Sequence, residues 1–307
     1  MMLRDVLGAN APLYGRRTQA IHLKPMPFAD VCQFYSNTHF ADLTQWYAFF
    51  GGVPAYAEKA GAYDSPQAAA VDLILNENGI LYPEPEFLVR EELREPGVYF
   101  SILRSLAAGN TRPNEIAQDA GVPHSGVNKY LDTLRRMQMI ERRVPLTEKH
   151  PERSTKALYV LSDHFLRFWF RYVFPNRSII ELGKGETLYS GKIKPDLNNF
   201  IGPVYEDMCH QEIIRNGIAI IGWEPFRIGR YWDPKCEIDL VVEDLNGEKV
   251  AFIECKWGMK VHIDRTLRKL RQKSDAIPQY AGRQKSYYVM SRTATHHKHH
   301  IRFNEAL

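Results

Sequence analysis

The clearest periodicity in the chain runs from residue 91 to 161. Val98, Ile102, Leu103 and Leu106 share one side of a 3.6-residue repeat, and Gly109-Asn110 follows as a stop. Pro113-Asn114-Glu115-Ile116-Ala117 opens a short second helix, and Gly121-Val122-Pro123 makes a turn. Ser125 is placed to cap a third helix carrying Val127, Tyr130, Leu131, Leu134 and Met137. Two strand-like runs, 141–144 and 157–161, come next, with Lys149, His150, Arg153 and Lys156 between them. This order predicts a winged helix-turn-helix. The segment before it reads as helical: Asp64-Ser65-Pro66 caps a helix stopped by Asn78-Gly79, and Tyr82-Pro83-Glu84-Pro85 marks a boundary. Beyond it, Phe165, Phe168, Trp169 and Tyr172 recur at helical spacing opposite Arg167 and Arg171. That is an aromatic stripe packing on a core in preference to a base-stacking platform.

From about Pro195 strand and helix patterns mix. Residues 237–243 and 249–256 are strand-like, and Asn246-Gly247 between them is the pair favoured in a two-residue type I′ hairpin. That register places Asp239 opposite Glu254 and Glu237 opposite Lys256, with Asp239, Glu254 and Lys256 on one face. Two opposed carboxylates repel, and a divalent cation, Mg²⁺ or Mn²⁺, is the economical counter-charge. Lys256 is then placed to orient or deprotonate a water for attack on a phosphodiester. The competing reading is a cross-strand salt bridge from Glu237 to Lys256, with the acids solvated at the strand ends.

Charge distribution gives these elements a partner. Between Lys129 and Lys156 there are eight basic residues against four acidic, and from Lys256 onward twelve against three. Together these windows exceed the whole chain's net charge of +4, so the remainder is acidic. Two basic surfaces suit a polyanion, most simply double-stranded DNA. The third helix offers Asn128, Lys129, Arg135 and Arg136 to the major groove, with Asn128 able to read adenine and Asp132 opposing phosphate. Arg142, Arg143, Arg153 and Lys156 on the wing would reach phosphates. The alternative is that this unit contacts protein only.

The 307-residue chain has 44% hydrophobic and 25% charged residues, a globular composition that excludes disorder. No apolar run is long enough for a membrane span, and no signal peptide precedes the first helix. Four cysteines without C-x-x-C spacing point to a reducing, cytoplasmic setting. The run His296-His297-Lys298-His299-His300 reads as an exposed basic tail.

Asp239 followed by Glu254-Cys255-Lys256 resembles the motif of the PD-(D/E)xK nuclease superfamily. Further motifs widen the likeness: Pro12-Leu13-Tyr14-Gly15-Arg16, Gly51-Gly52-Val53-Pro54-Ala55-Tyr56, Asp163-His164-Phe165-Leu166-Arg167-Phe168-Trp169, Gly229-Arg230-Tyr231-Trp232 and Glu237-Ile238-Asp239. In this order they resemble prokaryotic, largely archaeal, AAA-type ATPases with a C-terminal nuclease-like domain of unknown function. The resemblance implies an α+β multidomain chain: a helical lid-like remnant of an ATPase module (1–90), a winged helix-turn-helix (91–175) and a restriction-endonuclease-like α/β domain (195–295). It implies Glu206 as an upstream helical acid supporting Asp239 and Glu254. No G-x-x-x-x-G-K-[ST] occurs, and Gly183-Lys184-Gly185-Glu186 lacks the needed hydroxyl, so ATP is not an expected ligand of this chain alone. An ATPase core on another chain, or another protein partner, is. The expected function is a DNA-binding protein with a metal-dependent nuclease or nuclease-derived activity. The alternative is a non-catalytic regulatory module that holds DNA or a partner.

Overall fold

The computed structural model describes residues 19, 23–35, 38–93, 95–293 and 300–302. Pro12 to Arg16 and His296 to His299 lie outside the described residues. The architecture is mixed α and β, with many helices, a two-stranded sheet and a five-stranded mixed sheet.

Five helices lead: α1 (Phe28–Val31), α2 (Phe40–Phe50), α3 (Pro54–Ala60), α4 (Pro66–Leu73) and α5 (Glu84–Glu92). The Ser65 hydroxyl accepts the Ala68 amide at the start of α4, with Pro66 in the first turn. That helix ends at Leu73, five residues before the expected Asn78-Gly79 stop. The proline-rich boundary opens α5, because proline is tolerated in a first turn where its missing N–H has no partner to lose. The α1–α2 region closes on itself at Gly51-Gly52, where the Met26 amide donates to the Gly52 carbonyl at 2.8 Å. Gly51 has a φ of +66° and leaves only 2.7 Å between its virtual Cβ and an Asp163 oxygen.

Next come α6 (Pro96–Ala108), α7 (Pro113–Ala120), α8 (Val127–Arg136) and the antiparallel pair β1 (Ile140–Arg143) and β2 (Leu158–Leu161). Val127, Leu131 and Leu134 are buried on α8, as the stripe requires. Its N-cap is Gly126 and no side chain caps it, so Ser125 does not play the part expected of it. The two-stranded sheet does not project freely. The Leu146 amide donates to the Arg230 carbonyl at 2.8 Å and Trp232 Nε1 to the Lys156 carbonyl at 3.0 Å, docking the loop onto the edge of the larger sheet. An edge strand left bare would be an aggregation template, and this segment covers it.

The aromatic run starts as α9 (His164–Phe168) and widens into a π-turn over Trp169–Val173. The wider turn lets Phe168, Trp169, Phe170 and Tyr172 all be buried, instead of a single stripe. Arg167 stacks over Phe200 at 5.0 Å, and Arg171 is paired with Asp196 at 2.6 Å. Short helices α10 (Arg177–Glu181) and α11 (Gly185–Leu188) lead to the long α12 (Lys194–Ile221).

The large sheet has the order β3 (Arg227–Trp232), β4 (Glu237–Glu243), β5 (Lys249–Lys256), β6 (Gln284–Ser291), β7 (His300–Arg302). The β3–β4 and β4–β5 pairs are antiparallel and the last two are parallel, β6 reached through α13 (Ile263–Asp275). One face, with Leu240, Val242, Ala251, Ile253 and Cys255, joins the main core with Val204, Tyr205 and Met208 of α12. The other, with Val241, Val250 and Phe252, packs on Leu270 of α13 and on Tyr280. His300 lies on β7 against the Ser291 hydroxyl at 2.8 Å, not in an exposed tail. Among the described residues no helix is long and apolar enough to cross a membrane, and the four cysteines are free thiols.

A Cβ at Gly52 would lie 2.3 Å from the Met26 carbonyl oxygen, whereas one at Gly97 meets nothing within 4 Å. Gly52→Ala is therefore expected to cost about 2 kcal/mol or more, and Gly97→Ala to be neutral or to stabilise by up to about 1 kcal/mol. Chemical denaturation of the two variants beside the wild type checks the contrast.

Candidate functional site

The β4–β5 hairpin keeps the expected register by a different turn. Leu240 pairs with Ile253 and Glu243 with Val250, as a turn centred on Asn246-Gly247 demands. A type I′ turn needs positive φ at Asn246, and the one described non-glycine residue with positive φ is Gln138. The loop is instead four residues, 245–248. Asp244 anchors it: its carbonyl accepts the Gly247 amide, and its Oδ1 accepts the Lys249 amide at 2.9 Å. Two- and four-residue loops share one centre, so the pairing survives.

The ladder stops at Leu240, and the reason lies on the far side of β4. Gly229 pairs with Val241 but Tyr231 with Ile238, so β4 carries an extra residue at Asp239–Leu240. Such a bulge re-aims side chains. Hydrogen-bonded pairs recur every second residue from Asp244–Lys249, so an unbroken ladder would bring the Cys255 amide to the Ile238 carbonyl. It donates instead to Asp239 Oδ2, at 2.7 Å. Asp239 is thus turned into the gap at the end of the ladder and is not a ladder partner of Glu254.

Glu254 and Lys256 project together from β5. Lys256 Nζ lies 2.8 Å from Glu254 Oε1, and Lys273 Nζ, from α13, lies 3.3 Å from Glu254 Oε2. The competing cross-strand bridge from Glu237 to Lys256 is not what forms; Lys256 pairs with Glu254. Lys273 escaped the sequence reading; its signal was its place on the face of α13 that also carries Leu270, three residues earlier. Burial, then the charges of Glu254 and Glu206, push the Asp239 carboxyl up to about 7, with Lys256 and the Cys255 amide opposing. Three carboxylates therefore feel one another at this end of the sheet. Burial disfavours the Lys256 ammonium, but Glu254 outweighs it and raises the pKa.

Glu206 reaches the same region from α12 but is engaged: Arg230 Nη1 sits 2.5 Å from Glu206 Oε2, and Arg230 Nη2 lies 3.1 Å from Asp207 Oδ1. Burial raises the Glu206 pKa despite Arg230. Asp207 also takes Arg143 Nη1 from β1, at 3.1 Å. Burial alone would raise Asp207, yet Arg143, Arg230 and His164 hold it down to about 2. Asp207 and Arg143 line a cleft of about 370 Å³ shared with Tyr47, His164 and His210. Among the described residues no three His, Cys, Asp or Glu side chains are placed together to hold a metal.

The basic candidates divide. Asn128, Lys129, Arg135 and Arg136 are exposed along α8, and Arg153 is exposed in the loop between β1 and β2. Arg142 is spent on the β1–β2 loop, donating to the Pro151 and Ser154 carbonyls at 2.7 and 2.8 Å. Arg143 is spent on Glu141 and Asp207. Lys156 is 3.4 Å from Glu148, with its side chain 56% exposed, and can still meet a phosphate.

Comparison with known proteins bears on the segment just described. Residues 169–269 match the family described as archaea bacterial proteins of unknown function, DUF234. The match runs from the π-turn into α13 and so includes Glu206, Asp239, Glu254 and Lys256. An uncharacterized protein of Methanocaldococcus jannaschii is 34% identical over 275 residues, which is 88% of this chain. The chain spans 60% of the length of that relative. No solved structure matches the chain.

Asp239 yields a pH signature. With its native pKa near 7 and an unfolded value near 4, the folded state binds a proton that the unfolded state has lost between those limits. Ionisation of this carboxyl in the unfolded chain therefore weakens the fold progressively as pH rises from about 4 to 7, at up to about 1.4 kcal/mol per unit. Asp239→Asn is expected to equal wild type in stability near pH 4 and to exceed it by a growing margin up to pH 7, constant above. A margin independent of pH, in denaturation curves across that range, contradicts the placement.

Proposed function

We propose that the chain is a DNA-binding protein whose mixed sheet carries a divalent-cation-dependent phosphodiesterase site, as the PD-(D/E)xK resemblance implies. The observation that carries the reading is the gathering of Asp239, Glu254 and Lys256 where the β4–β5 ladder opens, with Glu206 close enough to raise the Asp239 pKa. The donors are all carboxylate oxygens, the type Mg²⁺ and Mn²⁺ favour. Mg²⁺ is commonly held by one or two carboxylates, with water and phosphate completing its shell, so a full protein cage is not required. Asp239 and Glu254 would hold it. When bound, such a cation supplies charge on the phosphate and lowers the pKa of a water. Lys256, kept protonated by Glu254, contributes a second positive charge for the phosphate oxygens. Lys273 steadies Glu254 from the other side.

DNA contact is assigned to α8, through Asn128, Lys129, Arg135 and Arg136, with Arg153 and Lys156 reaching the backbone. In this reading the three helices and β1–β2 form a winged helix, and an ATPase core elsewhere is the partner the wider resemblance implies. A second reading has support of its own: Glu206, Asp239 and Glu254 each already have a donor, Arg230, the Cys255 amide, and Lys256 with Lys273. A site so neutralised suits a nuclease-derived module that binds without cutting.

Mn²⁺ separates the two readings. It is expected to raise the wild-type melting temperature by mass action and to leave Asp239→Asn unmoved, while Lys256→Ala keeps the shift and loses cleavage of duplex DNA. A wild type indifferent to Mn²⁺ leaves the binding module as the function. For DNA, Lys129→Ala with Arg135→Ala should lower the salt slope of affinity by about 2. Arg142→Ala with Arg143→Ala, whose guanidiniums are committed within the protein, should leave it nearly unchanged. Equal slopes for both pairs would remove α8 from the interface.

A further inference from the structure

The parallel strands β5 and β6 end together. Lys256 pairs with Ser291, so Trp257 and Arg292 are the next residues beyond them. There the Arg292 guanidinium stacks over the Trp257 ring, 4.0 Å from its centroid. The ring is itself fixed: it is buried against Phe40 and Tyr205, and its Nε1 donates to Asn198 Oδ1 of α12 at 3.0 Å. The guanidinium has no such partner. Its Nε is buried without a hydrogen bond, and among the described residues no carboxylate pairs with it. Arg143, Arg171 and Arg230, also half-buried, each meet a carboxylate at 3.1 Å or less. Burial pushes the Arg292 pKa down, with the Tyr205 hydroxyl opposing. An arginine stays ionised all the same, and a charge drawn from water without a counter-charge is costly.

We propose that Arg292, held on Trp257, is an anion-binding site that takes a phosphodiester group of the DNA backbone at the carboxyl end of the sheet. This rests on the DNA-binding reading above and not on its cation. Position, shape and charge select that ligand. Open α/β sheets bind ligands outside the carboxyl ends of their parallel strands, which is where Arg292 stands. The ring covers one face of the guanidinium and leaves its two terminal nitrogens, unoccupied by the described residues, as a planar fork matched to two phosphate oxygens. Lys256 at the end of β5 and Lys260, exposed in the loop beyond Trp257, add positive charge on either side. Glu254, the acid on β5 before them, is already matched by Lys256 and Lys273. One fork with flanking lysines is too open to enclose a free anion. It suits one link of a polyanion that gathers its affinity from many contacts.

The test is binding of the full chain to short DNA duplexes of several sequences, by fluorescence anisotropy across a salt series, with circular dichroism confirming the fold of each variant. Arg292→Gln should weaken binding to every sequence alike and lower the salt slope by about 1, one contact's worth of released counterion. Arg292→Lys, which keeps the charge and loses the fork, should keep the slope and lose affinity a few-fold. Lys59→Gln, which removes an exposed cation on α3, should change neither. An Arg292→Gln with wild-type slope and affinity overturns the proposal, as does a loss no larger than that of Lys59→Gln. If Lys129→Ala with Arg135→Ala lowers the slope and Arg292→Gln does not, the DNA reading stands and this inference alone falls. A wild type that binds no duplex removes both. Inorganic phosphate is the second probe. If millimolar phosphate raises the melting temperature of wild type but not of Arg292→Gln, while their DNA slopes agree, the site takes a free anion and its DNA occupant is overturned. Should Arg292→Gln not fold, Arg292→Lys decides, and wild-type affinity there overturns the proposal.

Discussion

Glu206 and Asp207 are neighbouring carboxylates that α12 carries against the sheet, and an ionised carboxylate taken from water must be met by a cation and by hydrogen-bond donors. The chain meets them with Arg230 from β3 and Arg143 from β1. Those residues come from segments far apart in sequence. The pairing therefore fixes three things at once: which way α12 faces, where β3 lies under it, and how closely the two-stranded sheet docks. Breaking one member would leave the others buried and unmatched, which costs more than the pair contributes. The same requirement explains why Arg143 faces inward.

Around that network the packing is conventional and apolar. The sheet is covered by α12 on one face and α13 on the other, which is why β4 and β5 read as nearly continuous hydrophobic runs. Two acids are buried on these strands: Glu243 near the turn, paired with Arg227 and Arg283, and Glu254 at the end of the ladder, where the bulge opens it. There Asp239 substitutes its carboxylate for a missing backbone acceptor, and Glu254 is held between two lysines. The aromatic π-turn serves the other half of the molecule, filling the core between α2, α6 and α12 with Phe168, Trp169, Phe170 and Tyr172.

Local signals reached a good distance. The apolar stripe of α8, the Ser65-Pro66 start of α4 and the alternation of β4 and β5 are each legible because short-range sterics and periodicity determine them. The hairpin register was legible too, even though the turn was misassigned, because the centre of the loop and not its length fixes which residues face each other. Sequence patterning also brought Asp239, Glu254 and Lys256 to one end of one sheet.

What no pattern carried was the fate of individual charges. Arg142 and Arg143 look like phosphate contacts beside Lys129 and Arg135, and only the folded chain shows them committed to Pro151, Ser154, Glu141 and Asp207. Lys273 meets Glu254 across 19 positions, and Arg230 meets Glu206 across 24. The bulge at Asp239 is set by β3, a strand that the residues of β4 cannot see locally. By itself the sequence determined the elements and the hairpin register, because those depend on neighbours within a turn or a hairpin. The tertiary structure alone decided which cation serves which acid, because electrostatic pairing depends on distance in space and on what burial leaves unscreened.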